Sequence, residues 1–399
     1  MINPSANGWI VKFLSENQAH FIDFQGDHLA FYDSCRKTGF IYGYVVNFQL
    51  KIPIDASKWS YDEITKVGFL NTLYSIYSVE RKLESPDDFL LSVYEFYKII
   101  QPENLNFIKK MLPESSKSAR LEQIIDERIQ TNQNSLSKNF SHIITNALLF
   151  IDVIAYHYYL KNETLPNDYL KNIESDCIKI VSLALSLKQH KSKYDELVVK
   201  LFENSIRYTK FSTVDTLEYT SLKLHKHTEL LERLYLLDIA QMALWSDQEL
   251  EASEIVFLRK LSSDLQLNDD LLQKSIENMN HFIKEYKDEI PFFNYSNPIK
   301  HFYDQANKNV TKLIIRNKDR LTKEIKESGE LMQLLAKSTA KDLSKEEKKK
   351  VKKQLLDICK TIPSLTIFLL PGGSLLLPIL IKFIPQLLPS AFNENLEED

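Results

Sequence analysis

The chain has 399 residues, 44% of them hydrophobic, which is enough for two or three folded domains with buried cores. Its net charge is −4, whereas nucleic-acid-binding proteins are usually strongly basic, so we expect no DNA partner. Cys35, Cys177 and Cys359 are too few and too far apart for a disulfide framework.

Glycine and proline are sparse through most of the chain. The interval between Gly68 and Gly329 contains no glycine and only six prolines. Because a β-rich protein needs many more turn residues, this spacing favours helices with proline-marked joints. The sequence therefore predicts an all-α fold, with a multi-helix soluble body and a C-terminal proline-rich transmembrane helix or helical hairpin.

The first elements are predicted from residue spacing. Residues 39–54 would form a strand, a hairpin or a helix with Gly39 and Gly43 on one face, and we favour the helix. From Tyr61 onward apolar residues recur at helical spacing. Pro86, followed by two aspartates, suits the first turn of the next helix.

The middle of the chain continues the helical pattern. Residues 114–137 are predicted to form a polar helix and its joint. Residues 140–160 are apolar enough to resemble a membrane span, but they include Asn146, Asp152 and His157. Since polar groups are costly in lipid, a helix buried in a protein core is the preferred interpretation.

An acidic stretch follows the next apolar helix. Asp247, Glu249, Glu251 and Glu254 offer oxygen ligands for a hard divalent cation such as Ca²⁺. The preferred alternative is an acidic helix N-terminus that complements the helix dipole. Residues 229–283 also resemble the TerB-type helical fold through Asp247 and Glu254, although the glycine that usually follows the turn aspartate is replaced here.

A basic helix is predicted after Ser344, which forms a capping box with Glu347. Anionic lipid head groups would bind its lysines with about 1 kcal/mol per residue. Ribosomal RNA is the alternative anion, and simple solvation is a third interpretation. Adjacency to an apolar run favours lipid. The candidate anion-binding residues are Lys345, Lys348, Lys349, Lys350, Lys352 and Lys353.

Residues 362–388 form that apolar run. Sixteen of the 27 positions are Leu, Ile or Phe, and Lys382 carries the only charge. A run of this length and hydropathy predicts a membrane segment. Because Pro371 interrupts a helix, the segment would be either a kinked single span or a re-entrant hairpin. The residues assigned to the membrane segment are Pro363, Pro371, Gly372, Gly373, Ser374, Pro378, Lys382, Pro385 and Pro389.

Charges around the apolar run predict its orientation. Lysines precede it and four acidic residues follow Phe392, so the positive-inside rule places the bulk of the chain in the cytoplasm. The first residues show neither a secretory nor a mitochondrial targeting pattern. We therefore expect a protein of the bacterial cytoplasmic (inner) membrane.

The C-terminal segment resembles a known family. A basic helix, an apolar run with regularly placed prolines and the closing residues Leu388-Pro389-Ser390-Ala391-Phe392 are similar to the core of the Letm family, over about residues 335–399. The resemblance implies membrane proteins that act in cation/proton homeostasis and associate with ribosomes. Because a large N-terminal region precedes this segment, the chain looks most like the bacterial Letm-related proteins described as biofilm-associated.

One departure from the Letm pattern bears on transport. Ser374 stands where the family usually carries an acidic residue, and residues 362–392 contain no carboxylate. Transport would also require several copies, because one kinked span cannot line a pore. Three hypotheses follow. The two leading ones are a Letm-like protein of cation/proton homeostasis and a membrane-tethered helical interaction module that binds a ribosome or an envelope partner without transport. The third is a metal-responsive TerB-like sensor that would use Asp247 and Glu254.

The sequence shows no phosphate-binding glycine loop and no catalytic or CxxC motif, so we expect no enzyme and no cofactor, apart from the divalent cation considered above. Joints and composition divide the chain into five parts. These are an N-terminal helical region (1–135), a middle helical region (136–228), a TerB-like domain (229–290), a linker with a long charged helix (291–335) and the Letm-like segment (336–399).

Overall fold

The computed structural model describes residues 2–81, 85–100, 116–130, 146–187, 218–244, 250–290, 311–340, 343–362, 364–365 and 380. Within these ranges the chain forms thirteen α-helices and two short 3₁₀ helices, and no strand. The all-α prediction is therefore confirmed for the described residues. In chain order the α-helices are α1 (Trp9–Asn17), α2 (His28–Lys37), α3 (Tyr61–Glu80), α4 (Pro86–Ile100), α5 (Lys117–Gln130), α6 (Phe150–Asn162), α7 (Tyr169–Ser186), α8 (Leu230–Leu244), α9 (Ala252–Asp264), α10 (Asp269–Tyr286), α11 (Lys318–Glu327), α12 (Gly329–Ala340) and α13 (Lys345–Thr361).

The described residues form two apolar cores, and the larger one contains buried residues between Ile2 and Ile290. Two helices lie at the centre of this larger core. Helix α3 packs against α2, α4, α5 and α6, and α8 packs against α7, α9 and α10. Both are buried around most of their circumference, which is expected of a helix surrounded by others. Helix α7 joins the two groups by packing on α6 as well as α8. The predicted burial of the helix that contains Asp152 is confirmed, since α6 is largely inaccessible to solvent.

The helix predicted for residues 39–54 was wrong. This segment is a series of turns and extended residues, and Leu50 forms an isolated antiparallel bridge with Phe21. Gly39 has φ of 75°, and a Cβ on it would lie 2.0 Å from the carbonyl oxygen of Tyr44. Glycine is needed there because other residues rarely adopt this conformation. The turn depends on close contacts such as the one between Gly39 and the carbonyl of Tyr44, which the spacing of apolar residues does not reveal.

The irregular segment is held on α3 by close contacts. A Cβ on Gly68 would lie 2.9 Å from the side chain of Val45, so the absence of a side chain lets the segment approach the helix. The backbone N–H of Gln49 donates to Oδ1 of Asn71 over 2.6 Å. The segment therefore packs on α3 and gives the buried Asn71 of that helix a hydrogen-bond partner.

Two buried aspartates, one in each of the two groups of helices, have similar hydrogen-bond partners. Asp152 of α6 accepts two hydrogen bonds from Arg128, one of 2.7 Å from Nε, and a third of 3.0 Å from Tyr97. Asp238 of α8 has the same kinds of partner, a two-pronged arginine and a tyrosine hydroxyl. Each carboxylate thus has the charged and hydrogen-bonding partners that burial requires.

A second, smaller core lies in the C-terminal part of the described chain. Helices α11, α12 and α13 pack on one another around Leu321, Leu331 and Leu355. Arg316, just before α11, donates to both carboxylate oxygens of Glu63 over 2.7 and 2.8 Å. Burial would raise the pKa of Glu63, but the Arg316 guanidinium lowers it, so this carboxylate stays charged and ties the smaller core to the start of α3.

The five-part division of the chain stays a prediction. Buried residues from each of the first three parts, 1–135, 136–228 and 229–290, belong to a single apolar cluster. Residues from 291–335 and 336–399 together form the smaller core. The cores therefore group the predicted parts into a larger and a smaller set.

Candidate functional site

Helix α13 begins with the predicted capping box. The backbone N–H of Glu347 donates to Oγ of Ser344 over 3.2 Å, and the Ser344 N–H donates to Oε2 of Glu347 over 2.8 Å. Lys337 of α12 also contacts the Glu347 carboxylate at 2.6 Å. Hydrogen bonds from Lys337 and the cap lower the pKa of Glu347 to about 2. The start of the basic helix is therefore fixed by local contacts.

One side of α13 is buried in the smaller core. Val351, Leu355, Ile358 and Cys359 recur at the spacing of one helical face and are inaccessible or nearly so. Burial raises the pKa of the Cys359 thiol to about 12, which keeps it protonated and unreactive. This apolar stripe determines which way the charged side chains of the helix point.

The exposed side of α13 is strongly basic. Lys345, Lys349, Lys352 and Lys353 lie three or four residues apart and so share one side, with Lys348 at its edge. All five are exposed. We call these five residues the lysine face. They are presented outward because the opposite stripe of the helix is buried.

Most of the lysine face is not neutralised from within the described chain. Lys345, Lys348, Lys349 and Lys352 make no ion pair with another described residue. Lys350 differs, because it points to the other side of the helix and contacts Glu330 of α12 at 2.9 Å. Five of the six lysines predicted to bind anions therefore form one surface, and the sixth makes an exposed ion pair with the neighbouring helix.

The chemistry of the lysine face suits a polyanion. Helix α13 carries seven lysines and three acidic residues, a net charge of 7 − 3 = +4. An exposed ammonium group is a point charge that attracts phosphate without fixing its orientation. Several of them along about 12 Å of helix match repeated phosphates better than a single small anion.

The predicted membrane residues lie outside the described part of the chain. This applies to all nine, from Pro363 to Pro389. Of residues 362–388, the structure describes Ile362, Ser364, Leu365 and Leu380, and the three apolar ones are fully buried in the smaller core. Within the described ranges, none of the helices has both the length and the apolar character to cross a bilayer. The predicted transmembrane helix therefore has no support from the described residues.

The acidic stretch is only half described. Asp247 and Glu249 lie outside the described residues. Glu251 and Glu254 form a capping box at the start of α9, where the Glu251 N–H donates to Oε2 of Glu254 over 2.9 Å. This contact fits the alternative of an acidic helix N-terminus, and the cation site stays a prediction.

The structure also brings together a set of residues that sequence reasoning did not connect. His28, Glu80 and His157 come from α2, α3 and α6, and one potential ligand atom from each lies within 4.8 Å of the others. The three residues are 52 and 77 positions apart along the chain. His157 was noticed only as a polar residue in an apolar helix, and no sequence motif links it to the other two.

Comparison with known proteins identifies the C-terminal segment. The family model described as LETM1-like, RBD matches residues 343–399, which include the whole of α13. No curated protein and no solved structure matches the chain significantly. The similarity of residues 229–283 to the TerB fold and the link to the biofilm-associated branch stay predictions. Residues 343–399 are a LETM1-like segment, and the predicted resemblance to the Letm family is confirmed there.

Proposed function

We propose that this protein binds the ribosome through the lysine face of α13. The observation that carries the proposal is the coincidence of this exposed basic surface with the segment that matches the LETM1-like RBD model. RBD denotes a ribosome-binding domain. The proposal gives the protein a binding role and no chemical reaction, in line with the interaction-module hypothesis.

Ribosomal RNA is the ligand that the lysine face suits best. Its phosphates are closely spaced, and each lysine that approaches one releases a counterion. The remainder of the chain is acidic, because residues 1–336 carry a net charge of −6, so it would be repelled from RNA. Attraction would therefore be confined to the C-terminal segment and would orient the larger core away from the ribosome.

Cosedimentation with purified bacterial ribosomes tests the proposal. The full chain is expected to pellet with ribosomes at low salt and to be released as salt increases. Replacement of Lys345, Lys349, Lys352 and Lys353 by glutamate should abolish pelleting, since it changes the charge of the face by eight units.

A matched control separates this surface from overall charge. Lys51, Lys58, Lys171 and Lys284 are also exposed and lie in the larger body of the protein. Their replacement by glutamate makes the same charge change and should leave pelleting intact. If both variants lose pelleting equally, net charge alone governs the association. If both still pellet like wild type, the lysine face is not the ribosome-binding surface.

Membrane attachment is a second candidate, supported by the composition of residues 362–388. One charge among 27 positions that are mostly Leu, Ile or Phe favours transfer into lipid. In this form of the proposal the protein lies at the bacterial cytoplasmic membrane, binds lipid, and acts in cation/proton homeostasis as a homo-oligomer. Ser374, at the position usually acidic in the family, weakens the transport part more than the attachment part.

Extraction of membranes with alkaline carbonate tests attachment separately from ribosome binding. An inserted chain is expected to stay in the pellet, and a variant that lacks residues 363–399 is expected to appear in the supernatant. Release of the full chain by carbonate would contradict insertion. Ribosome binding would be unaffected by that result, because it depends on α13.

A further inference from the structure

The set formed by His28, Glu80 and His157 lies where three helices meet. His28 is the first residue of α2, Glu80 is the last of α3, and His157 is in the middle of α6. Nε2 of His28 hydrogen bonds to Oε1 of Glu80, and Nε2 of His157 lies 3.0 Å from the same oxygen. The two imidazole rings are 5.2 Å apart and inclined by 68°. Both rings therefore converge on one carboxylate.

His157 is buried without a normal hydrogen-bond partner. Its side chain is 2% exposed, and neither ring nitrogen has a hydrogen bond of acceptable geometry within the described chain. The short distance from its Nε2 to Glu80 is thus a contact whose angles do not suit a hydrogen bond. Because a buried polar group without a partner costs about 1–3 kcal/mol, this nitrogen calls for an additional partner.

The charges around the set favour a cation. The Glu80 side chain is 14% exposed, and its carboxylate is the acidic group that both imidazoles approach. The adjacent Arg81 does not neutralise it, since its guanidinium binds the carbonyl oxygen of Leu160 and the carboxylate of Glu163. A positive ion would be attracted to this carboxylate.

We propose that His28, Glu80 and His157 bind a divalent transition-metal ion of the Zn²⁺ or Co²⁺ class. Two imidazoles and one carboxylate are a donor set that these ions prefer, whereas Mg²⁺ and Ca²⁺ prefer oxygen ligands alone. The ion would bind Nε2 of each histidine and the carboxylate of Glu80. It would give the buried Nε2 of His157 the partner that it lacks.

One potential ligand atom from each residue lies within 4.8 Å of the others, so an ion could bind all three after local adjustment, which is larger for the close contact between His28 and Glu80. Ligand bonds of 2.0–2.2 Å in a tetrahedral arrangement place donor atoms about 3.4 Å apart. The 3.0 Å between His157 and Glu80 needs only a small expansion. The ion has a route of entry, because the side chain of His28 is 35% exposed while that of Glu80 is 14% exposed. Three protein ligands would leave a fourth position for water on the side of His28.

The ion would join three separate elements of the larger core. Helices α2, α3 and α6 meet at this point but are far apart in sequence. Since binding to the folded form alone stabilises that form, loading the site is expected to raise the melting temperature.

The proposal is tested by treating the full chain with a chelator and then titrating it with Co²⁺. We expect one Co²⁺ per chain, an absorption spectrum of nitrogen and oxygen ligation without a thiolate charge-transfer band, displacement by Zn²⁺ and no competition from Mg²⁺. His28→Ala and Glu80→Gln are each expected to weaken binding at least tenfold, since even loss of an outer-shell partner costs 10–100-fold.

His281→Ala is the matched control. His281 is exposed and lies 3.5 Å from Glu285, so it is a histidine–carboxylate pair without a second imidazole, and its loss should not change affinity. His28 is partly exposed, so His28→Ala should retain the helical circular-dichroism spectrum. Failure of the wild-type chain to bind Co²⁺, a thiolate spectrum, or equal affinity of His28→Ala and wild type would overturn the proposal.

Discussion

Removal of Arg128 should be among the most destabilising changes in the larger core. Its side chain is 2% exposed and that of Asp152 is fully buried. Arg128→Met removes two charged hydrogen bonds and leaves the Asp152 carboxylate with the Tyr97 hydroxyl at 3.0 Å. Because a buried charge without its partner costs about 3–5 kcal/mol, we expect a loss of that size in the free energy of unfolding.

A double variant separates the cost of the stranded charge from the loss of packing. In Arg128→Met/Asp152→Leu the charge is absent, and the main remaining cost is the lost hydrogen bond from the Tyr97 hydroxyl to the carboxylate, about 1.5–3 kcal/mol. The double variant should therefore be about 2 kcal/mol more stable than Arg128→Met alone. This is a coupling that a double-mutant cycle measures directly.

Urea denaturation followed by circular dichroism provides the measurement. Lys161→Met is the control, since Lys161 forms an exposed ion pair with Glu229 at 2.6 Å and its loss should cost no more than about 1 kcal/mol. Two results would contradict a stabilising role for the buried Arg128–Asp152 pair. One is a loss in the free energy of unfolding for Arg128→Met no larger than that for Lys161→Met. The other is a loss in the double variant equal to the sum of the losses in Arg128→Met and Asp152→Leu.

Three further changes have defined outcomes. His227 lies 3.0 Å from Asp176 and 3.5 Å from Glu232, and these acids raise its pKa to about 9 despite burial. A raised pKa stabilises the protein fully below about pH 6.5, and this contribution, on the order of 3 kcal/mol, is lost as pH rises through 9. Urea denaturation should show that the difference in free energy of unfolding between wild type and His227→Gln shrinks from about pH 6.5 to pH 9. A difference that stays constant over this range would contradict the raised pKa. Gly39→Ala should lower the melting temperature, because a Cβ would lie 2.0 Å from a carbonyl oxygen at positive φ; an unchanged melting temperature would mean that the turn readily rearranges. Ser344→Ala should cost about 0.5–2 kcal/mol by removing the cap of α13, whereas Ser344→Asp should restore it, as measured by urea denaturation; equal stability of both variants would count against the cap.

Features determined by neighbouring residues could be predicted from the sequence. The helix that begins at Pro86 and the capping box of Ser344 and Glu347 were both found because their signals lie within a few positions. The lysine face was also predictable in composition. Which lysine pairs with Glu330 was not predictable, because this exposed contact depends on the packing of α12 against α13.

Features that depend on distant contacts could not be predicted. Residues 39–54 have an apolar pattern that fits a helix, but the conformation of Gly39 and the packing of Val45 on Gly68 produce turns instead. Arg128 lies in a helix that its polar composition would place at the surface. Its burial becomes clear only once Asp152 is opposite it, 24 positions further along the chain.

The metal-binding set is the clearest example of such long-range assembly. His28, Glu80 and His157 belong to three helices whose mutual packing no local pattern encodes. The cation site suggested by the acidic stretch of residues 247–254, by contrast, came from sequence proximity. In its described half the structure shows a helix cap, which is the usual role of acidic residues at a helix start.

The salt dependence of ribosome affinity tests the central claim most directly. Removing one lysine that binds a phosphate should reduce the slope of the logarithm of the association constant against the logarithm of salt concentration by about 0.7–0.9. Replacement of the five residues of the lysine face by glutamine should therefore weaken binding and flatten the slope by several units, while the control with Lys51, Lys58, Lys171 and Lys284 replaced by glutamine should match wild type. Equal slopes and equal affinities for the lysine-face variant and wild type would contradict ribosome binding through α13.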